Sequence, residues 1–216
     1  MKKIALIVAA GKGERMKKNT PKQFLLLKAI PILMHTINCF SNFNEIILVL
    51  SEKNIKRWKN LCVKYNFKTP HKVVVGGETR FHSVKNGLKK LDPNSIVAIH
   101  DGVRPMVSKK LIKCLISKVE KDKGVVPVLP IQDSIRKISE EKTISINRAK
   151  LFMVQTPQCF LTKSIQKAYK KNWSKELTDD ASVFEKEKGN IITLNGERKN
   201  IKITTPQDLE IAEKLL

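Results

Sequence analysis

Through the first 130 residues, short runs of β-branched and aliphatic residues alternate with stretches whose apolar positions recur three and four apart. "KIALIVAA", "EIILVLS", "HKVVVGG", "SIVAIHD" and "GVVPVLP" read as strands; "PILMHTINCF", "NIKRWKNLCVKYN", "RFHSVKNGLKKL" and "SKKLIKCLISKVEK" read as helices. The strands are apolar at successive positions, so both faces need cover. The pattern predicts an α/β fold, a mainly parallel sheet with helices on both faces. In such sheets ligands collect at the carboxyl ends of the strands.

The alternation stops at Asp133. "DSIRKISEEKTISINRAKLFMVQTP" offers β-prone segments around a polar turn, which predicts a protruding hairpin arm at about 133–156. A lone hairpin is marginal in water, so the arm needs another surface; the simplest is the same arm of a second copy, which predicts a homodimer. Two helices are expected after it, the second opening at "TDDAS" with Thr178 as cap. The last starts at "TTPQDL", with Thr205 as cap, Pro206 in the first turn and Asp208 completing a capping box. Residues 1–216 read as one domain without repeats or low-complexity linkers.

Charge changes the picture more than composition does. The chain carries a formal net charge of +22, yet only seven of its 42 basic residues are Arg and the Lys are spread through every segment. Nucleic-acid readers favour Arg and interleaved aromatics, and the chain has eight Phe, two Tyr and two Trp with no such motif. A nucleic-acid-binding protein is therefore the disfavoured alternative, and drift toward Lys the simpler account. Cys39, Cys62, Cys114 and Cys159 lie far apart with no metal-type spacing, which predicts reduced, mostly packed thiols in the cytoplasm. The apolar run after Lys2 and Lys3 ends at Ala10 and reads as a first strand rather than a leader, and no run is long enough to span a membrane.

The chemistry sits at predicted strand ends. "AAGKGERM" lacks the third glycine of the dinucleotide fingerprint and the Gly-Lys-Ser/Thr of a P-loop. It remains a loop in which Gly11 and Gly13 admit a ligand to backbone N–H groups, with Arg15 and Lys22 beyond, a cradle suited to a polyphosphate. After the third strand, "GGETRFHSV" gives Gly76 and Gly77 as backbone room against a flat base or sugar, Ser83 as a small polar group and Arg80 as a reach over the site. After the fourth, "HDGVRP" places Asp101 and Arg104 at the crevice, a carboxylate and a guanidinium. His100 reads as a packed residue.

"AAGKGERM" with "PKQF", "GGETR" with "HSV", "HDGVRP", "PIQDSIRK", "NRAKLFMVQTPQCF", "TDDAS" and "NIKITTPQDL" follow one another in this order. From Ile4 to Leu209 the chain thereby resembles the 2-C-methyl-D-erythritol 4-phosphate cytidylyltransferases of the non-mevalonate isoprenoid pathway. The resemblance implies a Rossmann-like fold of the nucleotide-diphospho-sugar transferase type. It also implies reaction of CTP with a polyol phosphate, and Mg2+ bound mainly through the CTP phosphates. Arg15 and Lys22 would be catalytic, acting at the α-phosphate. Ala9, Ala10, Gly11, Gly13, Gly77, Glu78, Arg80, Ser83, Asp101, Gly102 and Lys202 would hold CTP, with Asp101 and Gly102 at the ribose and Lys202 also toward the acceptor side. Arg104, Ser134 and Thr156 would line the acceptor, and Arg148 would reach it from the neighbouring subunit's arm. Glu78 stands where some members have Asp, and Ser134 where some have Thr. Ribitol-5-phosphate cytidylyltransferases share most of these motifs, so the acceptor polyol stays open at this level.

Overall fold

The structure is a computed structural model that describes residues 1–11, 16, 20–140 and 142–216. Strand β1 (Lys2–Val8) runs parallel to β4 (Glu45–Leu50) on one side and β6 (Ser95–Asp101) on the other. Strand β5 (Lys72–Val75) extends the parallel set beyond β4. On the far side, β11 (Gln158–Leu161) lies antiparallel between β6 and β7 (Lys123–Pro130). Strands β10 (Phe152–Val154) and β12 (Asn190–Asn195) both pair with β7, antiparallel and parallel respectively. Between β1 and β4 lie a two-residue ribbon, β2 (Leu26–Leu27) with β3 (Ile30–Pro31), and helix α1 (Ile32–Asn38). The remaining helices are α2 (Glu52–Lys64), α3 (Arg80–Leu88), α4 (Lys109–Ser117), α5 (Thr162–Ala168), α6 (Asp180–Glu185) and α7 (Pro206–Leu215).

The continuous apolar runs have the expected consequence. Ala5 and Ile7 of β1 join a core with Leu33 of α1, Trp58 of α2 and Leu115 of α4. Ile4 and Leu6 join the opposite core, with Phe81 and Val84 of α3, Ile165 of α5 and Phe184 of α6. Successive side chains of one strand thus feed two separate cores, because a strand alternates faces with period two. A third, smaller cluster holds Met16, Leu27, Ile32, Val103 and Ile203 against Ala212 of α7.

The hairpin forms as β8 (Ile135–Ile138) against β9 (Thr143–Ile146), a two-stranded sheet of its own. Its paired part is narrower than the expected 133–156, because Phe152–Val154 return to the main sheet on β7. Ile138 and Ile144 on the hairpin are exposed. Helix α6 is capped by Asp179 rather than Thr178: its carboxylate accepts from Ser182 N while the Ser182 hydroxyl accepts from Asp179 N. Thr205, Pro206 and Asp208 form the capping box of α7 as the sequence predicts. No disulfide links the four cysteines; Cys159 is buried and Cys114 exposed.

Gly124 begins the apolar run of β7 directly beneath a ring. A Cβ there would lie 2.7 Å from Phe160 Cδ1 and 2.9 Å from Ile191 Cδ1, and Phe160 is fully buried. Gly124→Ala should lower unfolding stability by roughly 1–3 kcal/mol through overpacking. Urea unfolding measures it, and an unchanged midpoint would show that the ring yields freely.

Candidate active site

Parallel pairing continues one residue past the strands: Ala9 N donates to Val49 O (2.9 Å), Gly102 N to Val8 O (2.9 Å) and Gly76 N to Leu50 O (2.7 Å). The carboxyl ends of β1, β4, β5 and β6 are therefore level. Over them opens a cavity of about 660 Å³. Its walls are Ala9, Ala10 and Gly11 after β1, Ser51, Lys53 and Asn54 after β4, and Gly77, Glu78, Thr79 and Arg80 after β5. Asp101 at the end of β6, Ser83 of α3, Lys22 and Gln23 of a short 3₁₀ turn, and Lys202 and Thr204 complete it, together with Val8, Pro21 and Val103.

Local chemistry explains the wall. Gly76 does not open space for a ligand as expected. A Cβ there would meet Ala10 Cβ at 2.6 Å and Ser83 Oγ at 2.9 Å, so its lack of a side chain lets the ends of β1 and β5 close together. Open space lies instead at Gly11, where a Cβ would meet none of the described residues within 4 Å. Gln23 Nε2 donates to Ala9 O at 2.9 Å, tying the turn that carries Lys22 to the loop after β1. The Ser83 hydroxyl accepts from Gly77 N (3.1 Å) and donates to Gly77 O (3.3 Å), fastening the glycine loop to α3.

Asp101 is the electrostatic centre. Lys202 Nζ lies 2.9 Å from its Oδ2, Arg104 Nε 3.4 Å from the same oxygen, and Arg80 Nε 3.6 Å from Oδ1. Burial alone would raise its pKa, but the charges of Arg80, Lys202 and Arg104 outweigh it and hold the carboxyl far below the ordinary carboxylate range. Arg80 also makes a two-pronged pair with Asp180, Nη1 to Oδ1 at 2.9 Å and Nη2 to Oδ2 at 2.6 Å. It lines the cavity while pinned from behind.

Ten of the expected site residues thus converge: Ala9, Ala10, Gly11, Lys22, Gly77, Glu78, Arg80, Ser83, Asp101 and Lys202. Gly13 and Arg15 lie outside the described residues. Gly102, Arg104 and Thr156 stand behind the wall. A Cβ on Gly102 would meet Ala9 Cβ at 2.8 Å, Arg104 is buried and donates from Nη1 to Asn200 O at 2.7 Å, and the Thr156 hydroxyl accepts from Asp101 N at 3.1 Å. Ser134 and Arg148 are exposed around the hairpin and do not line the cavity. Lys53 and Asn54 were missed, although "SEKN" follows a strand end like the other motifs. His100 is packed as expected, with Nε2 3.0 Å from Arg104 O and Nδ1 3.0 Å from Thr156 Oγ1.

A mainly parallel sheet with helices on both faces, holding a glycine-lined and cation-rich crevice at its strand ends, defines a Rossmann-like protein built for a phosphorylated nucleotide. Residues 3–216 match the 2-C-methyl-D-erythritol 4-phosphate cytidylyltransferase family, and the chain belongs to it. It is 50% identical over 220 residues to the protein of that name from Azobacteroides pseudotrichonymphae, covering 99% of this chain and 98% of that one. The crystal structure of 4-diphosphocytidyl-2C-methyl-D-erythritol synthase from Anaerococcus prevotii superposes with a TM-score of 0.82 at 31% identity, covering 99% of this chain and 97% of that one. The Francisella tularensis 2-C-methyl-D-erythritol 4-phosphate cytidylyltransferase gives 0.82 at 30% identity, with both chains fully covered.

Burial pushes the His100 imidazole down to about 4 from 6.5. The folded chain keeps it neutral where the unfolded chain takes up a proton, so stability is full above about pH 6.5 and falls as pH drops from there toward 4. Asp101 stays ionised through that window; its own contribution is lost only in stronger acid, below about pH 3.9. Urea midpoints should decline between about pH 7 and about pH 4.5, and decline less in His100→Gln. Parallel slopes in the two proteins would place the acid sensitivity elsewhere.

Proposed function

We propose that the chain transfers the cytidylyl group of CTP to 2-C-methyl-D-erythritol 4-phosphate, forming 4-diphosphocytidyl-2-C-methyl-D-erythritol and pyrophosphate in non-mevalonate isoprenoid synthesis. The observation that carries this reading is the convergence of Lys22, Lys53, Lys202 and Arg80 on one cavity whose floor is the small-residue loop Ala9–Gly11. Family membership points to the same substrates.

A phosphate monoester has a second pKa near ~6, so the acceptor is already largely ionised at neutral pH. Its oxygen attacks the α-phosphorus in line, a new P–O bond forms, and the bond to the β-phosphate oxygen breaks to release pyrophosphate. No general base is required, and the one buried imidazole beside the site, His100, is engaged on both nitrogens. The chain's task is to hold two polyanions together and meet the charge that builds at the α-phosphate. Lys22 on the cavity wall is assigned to that charge, as is Arg15 by its place in the same motif. Glu78, Ser83, Gly77 and Asp101 are assigned to the base and ribose.

Among the described residues no group of three His, Cys, Asp or Glu side chains can hold a metal ion, and the Asp101 carboxylate is already shared by three cations. A Mg2+ ion carried on the CTP triphosphate, as the family resemblance implies, would supply neutralisation of phosphate charge. The four free thiols agree with a cytoplasmic setting, and among the described residues no helix is long and apolar enough to cross a membrane.

Pyrophosphate release with CTP and Mg2+ should appear with methylerythritol 4-phosphate and not with ribitol 5-phosphate or without acceptor. Turnover with ribitol phosphate alone would keep the chemistry and move the pathway. In the same assay Lys22→Ala should cost on the order of 10²- to 10³-fold in turnover, and near wild-type rates would remove Lys22 from the reaction.

The exposed hairpin, with Ile138 and Ile144 uncovered and Phe152, Met153 and Val154 exposed beside it, supports a homodimer in which Arg148 of one copy serves the acceptor of the other. Mixing inactive Lys22→Ala and Arg148→Ala dimers should then restore a fraction of activity. Absence of recovery despite demonstrated exchange would count against a shared site.

A further inference from the structure

Asp180 is fully buried, lies outside the cavity lining and has no part in the mechanism above. Its surroundings nonetheless point at the cavity. Tyr169 Oη donates to its Oδ1 at 2.6 Å, and both terminal nitrogens of Arg80 donate to its two oxygens. Its place is set by β11: Gln158 Oε1 accepts from Ala181 N at 2.8 Å while Gln158 Nε2 donates to Asp179 at 2.8 Å. The Tyr169 ring stacks on Phe81, the residue after Arg80, with centroids 4.7 Å apart. The start of α6 is therefore a fixed anchor for one side chain of α3, a hundred positions earlier in the chain.

The consequence falls on Asp101. Its Oδ2 is engaged by Lys202 and Arg104, whereas Oδ1 meets Arg80 only through Nε, at 3.6 Å, which is beyond hydrogen-bond length. A guanidinium beside a carboxylate ordinarily closes on it with two parallel hydrogen bonds. Arg80 does not, because Asp180 already holds its fork. We propose that Asp180 is a positioning residue: by retaining the Arg80 fork it keeps Asp101 Oδ1 open as the acceptor for a ribose hydroxyl of the bound nucleotide. Without that hold the fork drops onto Asp101 and takes the acceptor position. The inference rests on the CTP reading given above.

Isothermal titration of the full chain with CTP, 2′-deoxy-CTP and 3′-deoxy-CTP tests it without an acceptor or turnover. Wild type should bind CTP about tenfold more tightly than at least one deoxy analogue, as a charge-assisted hydrogen bond allows. In Asp180→Asn, CTP affinity should fall by about tenfold and the preference over the deoxy analogue should shrink toward one. A purely structural role would weaken all three ligands alike and leave the ratio intact. Tyr169→Phe keeps the stack on Phe81 and removes one donor to Asp180, so it should shift the ratio the same way by a smaller factor. It carries the test if Asp180→Asn does not fold. A ratio unchanged in the folded variants, or a wild type that binds CTP without preference, overturns the proposal. A wild type that binds no CTP overturns the nucleotide reading itself, and the role of Asp180 falls with it.

Discussion

The Asp101 carboxylate is the point on which the site depends. It ends β6, and it is gripped by Arg80 from the start of α3, by Arg104 three residues on and by Lys202 from the segment before α7. Segments more than a hundred residues apart in the chain are thereby brought to one carboxylate. A buried charge of this kind is costly unless it is paired, and here the pairing is excessive in the other direction. Three cations face one carboxylate, and with Asp180 counted the cluster still carries one positive charge over. The cavity wall is left electropositive, which is what a polyanion needs.

The same cluster separates two uses of basic residues. Arg80 and Arg104 are held by planar, directional contacts with carboxylates and a backbone carbonyl, a geometry that a lysine ammonium does not reproduce. Arg57 and Arg136 work at the surface, the first over the Phe24 ring and the second along the hairpin to Thr143. Many of the lysines are exposed, and the pairs they form, such as Lys186 with Glu176 and Lys123 with Glu120, lie in solvent where ion pairs add little. A charge of +22 on this chain is thus compatible with a site that draws on only a few cations.

Local signals carried most of the fold and about half of the site chemistry. The apolar runs announced β1, β4, β5, β6 and β7 because a strand covered on both faces has no polar side to confuse the pattern. Strands β11 and β12 went unread for the opposite reason, being partly polar and defined by pairing with distant β6 and β7, while β10 was read as β-prone but placed in the arm. The ribbon of β2 and β3 turns through Lys28 and Ala29 at φ 49° and 63°, left-handed positions where sequence reasoning looks for Asn or Gly. The extent of the arm was overread because Phe152–Val154 is as β-prone as the hairpin, and only the open edge of β7 decides where it pairs. Among site residues, those in glycine-bearing or charged motifs at the ends of β1, β5 and β6 were legible, whereas Lys53 and Asn54 after β4, with no glycine beside them, were not. Asp180 was not legible as part of the site, since nothing local to "TDDAS" reveals a partner a hundred residues away.

The capping box of α7 shows how a local signal acquires a consequence the sequence does not state. Asp208 Oδ2 accepts from Thr205 N, as a capping box requires, and also from the Thr204 amide and hydroxyl, each at 2.8 Å. Thr204 lies on the cavity wall two residues after Lys202, and Ile203 between them is fully buried, with its N–H donating to Val103 O. The segment is held at both sides of the lysine: Asn200 upstream accepts from Arg104 and donates to Thr156 O at 2.8 Å, and the cap holds it downstream. Lys202 therefore meets Asp101 from a fixed backbone rather than from a loose tail. The carboxyl-terminal helix, whose Ala212 packs in the small cluster with Leu27, Val103 and Ile203, is coupled to the cavity wall by this route.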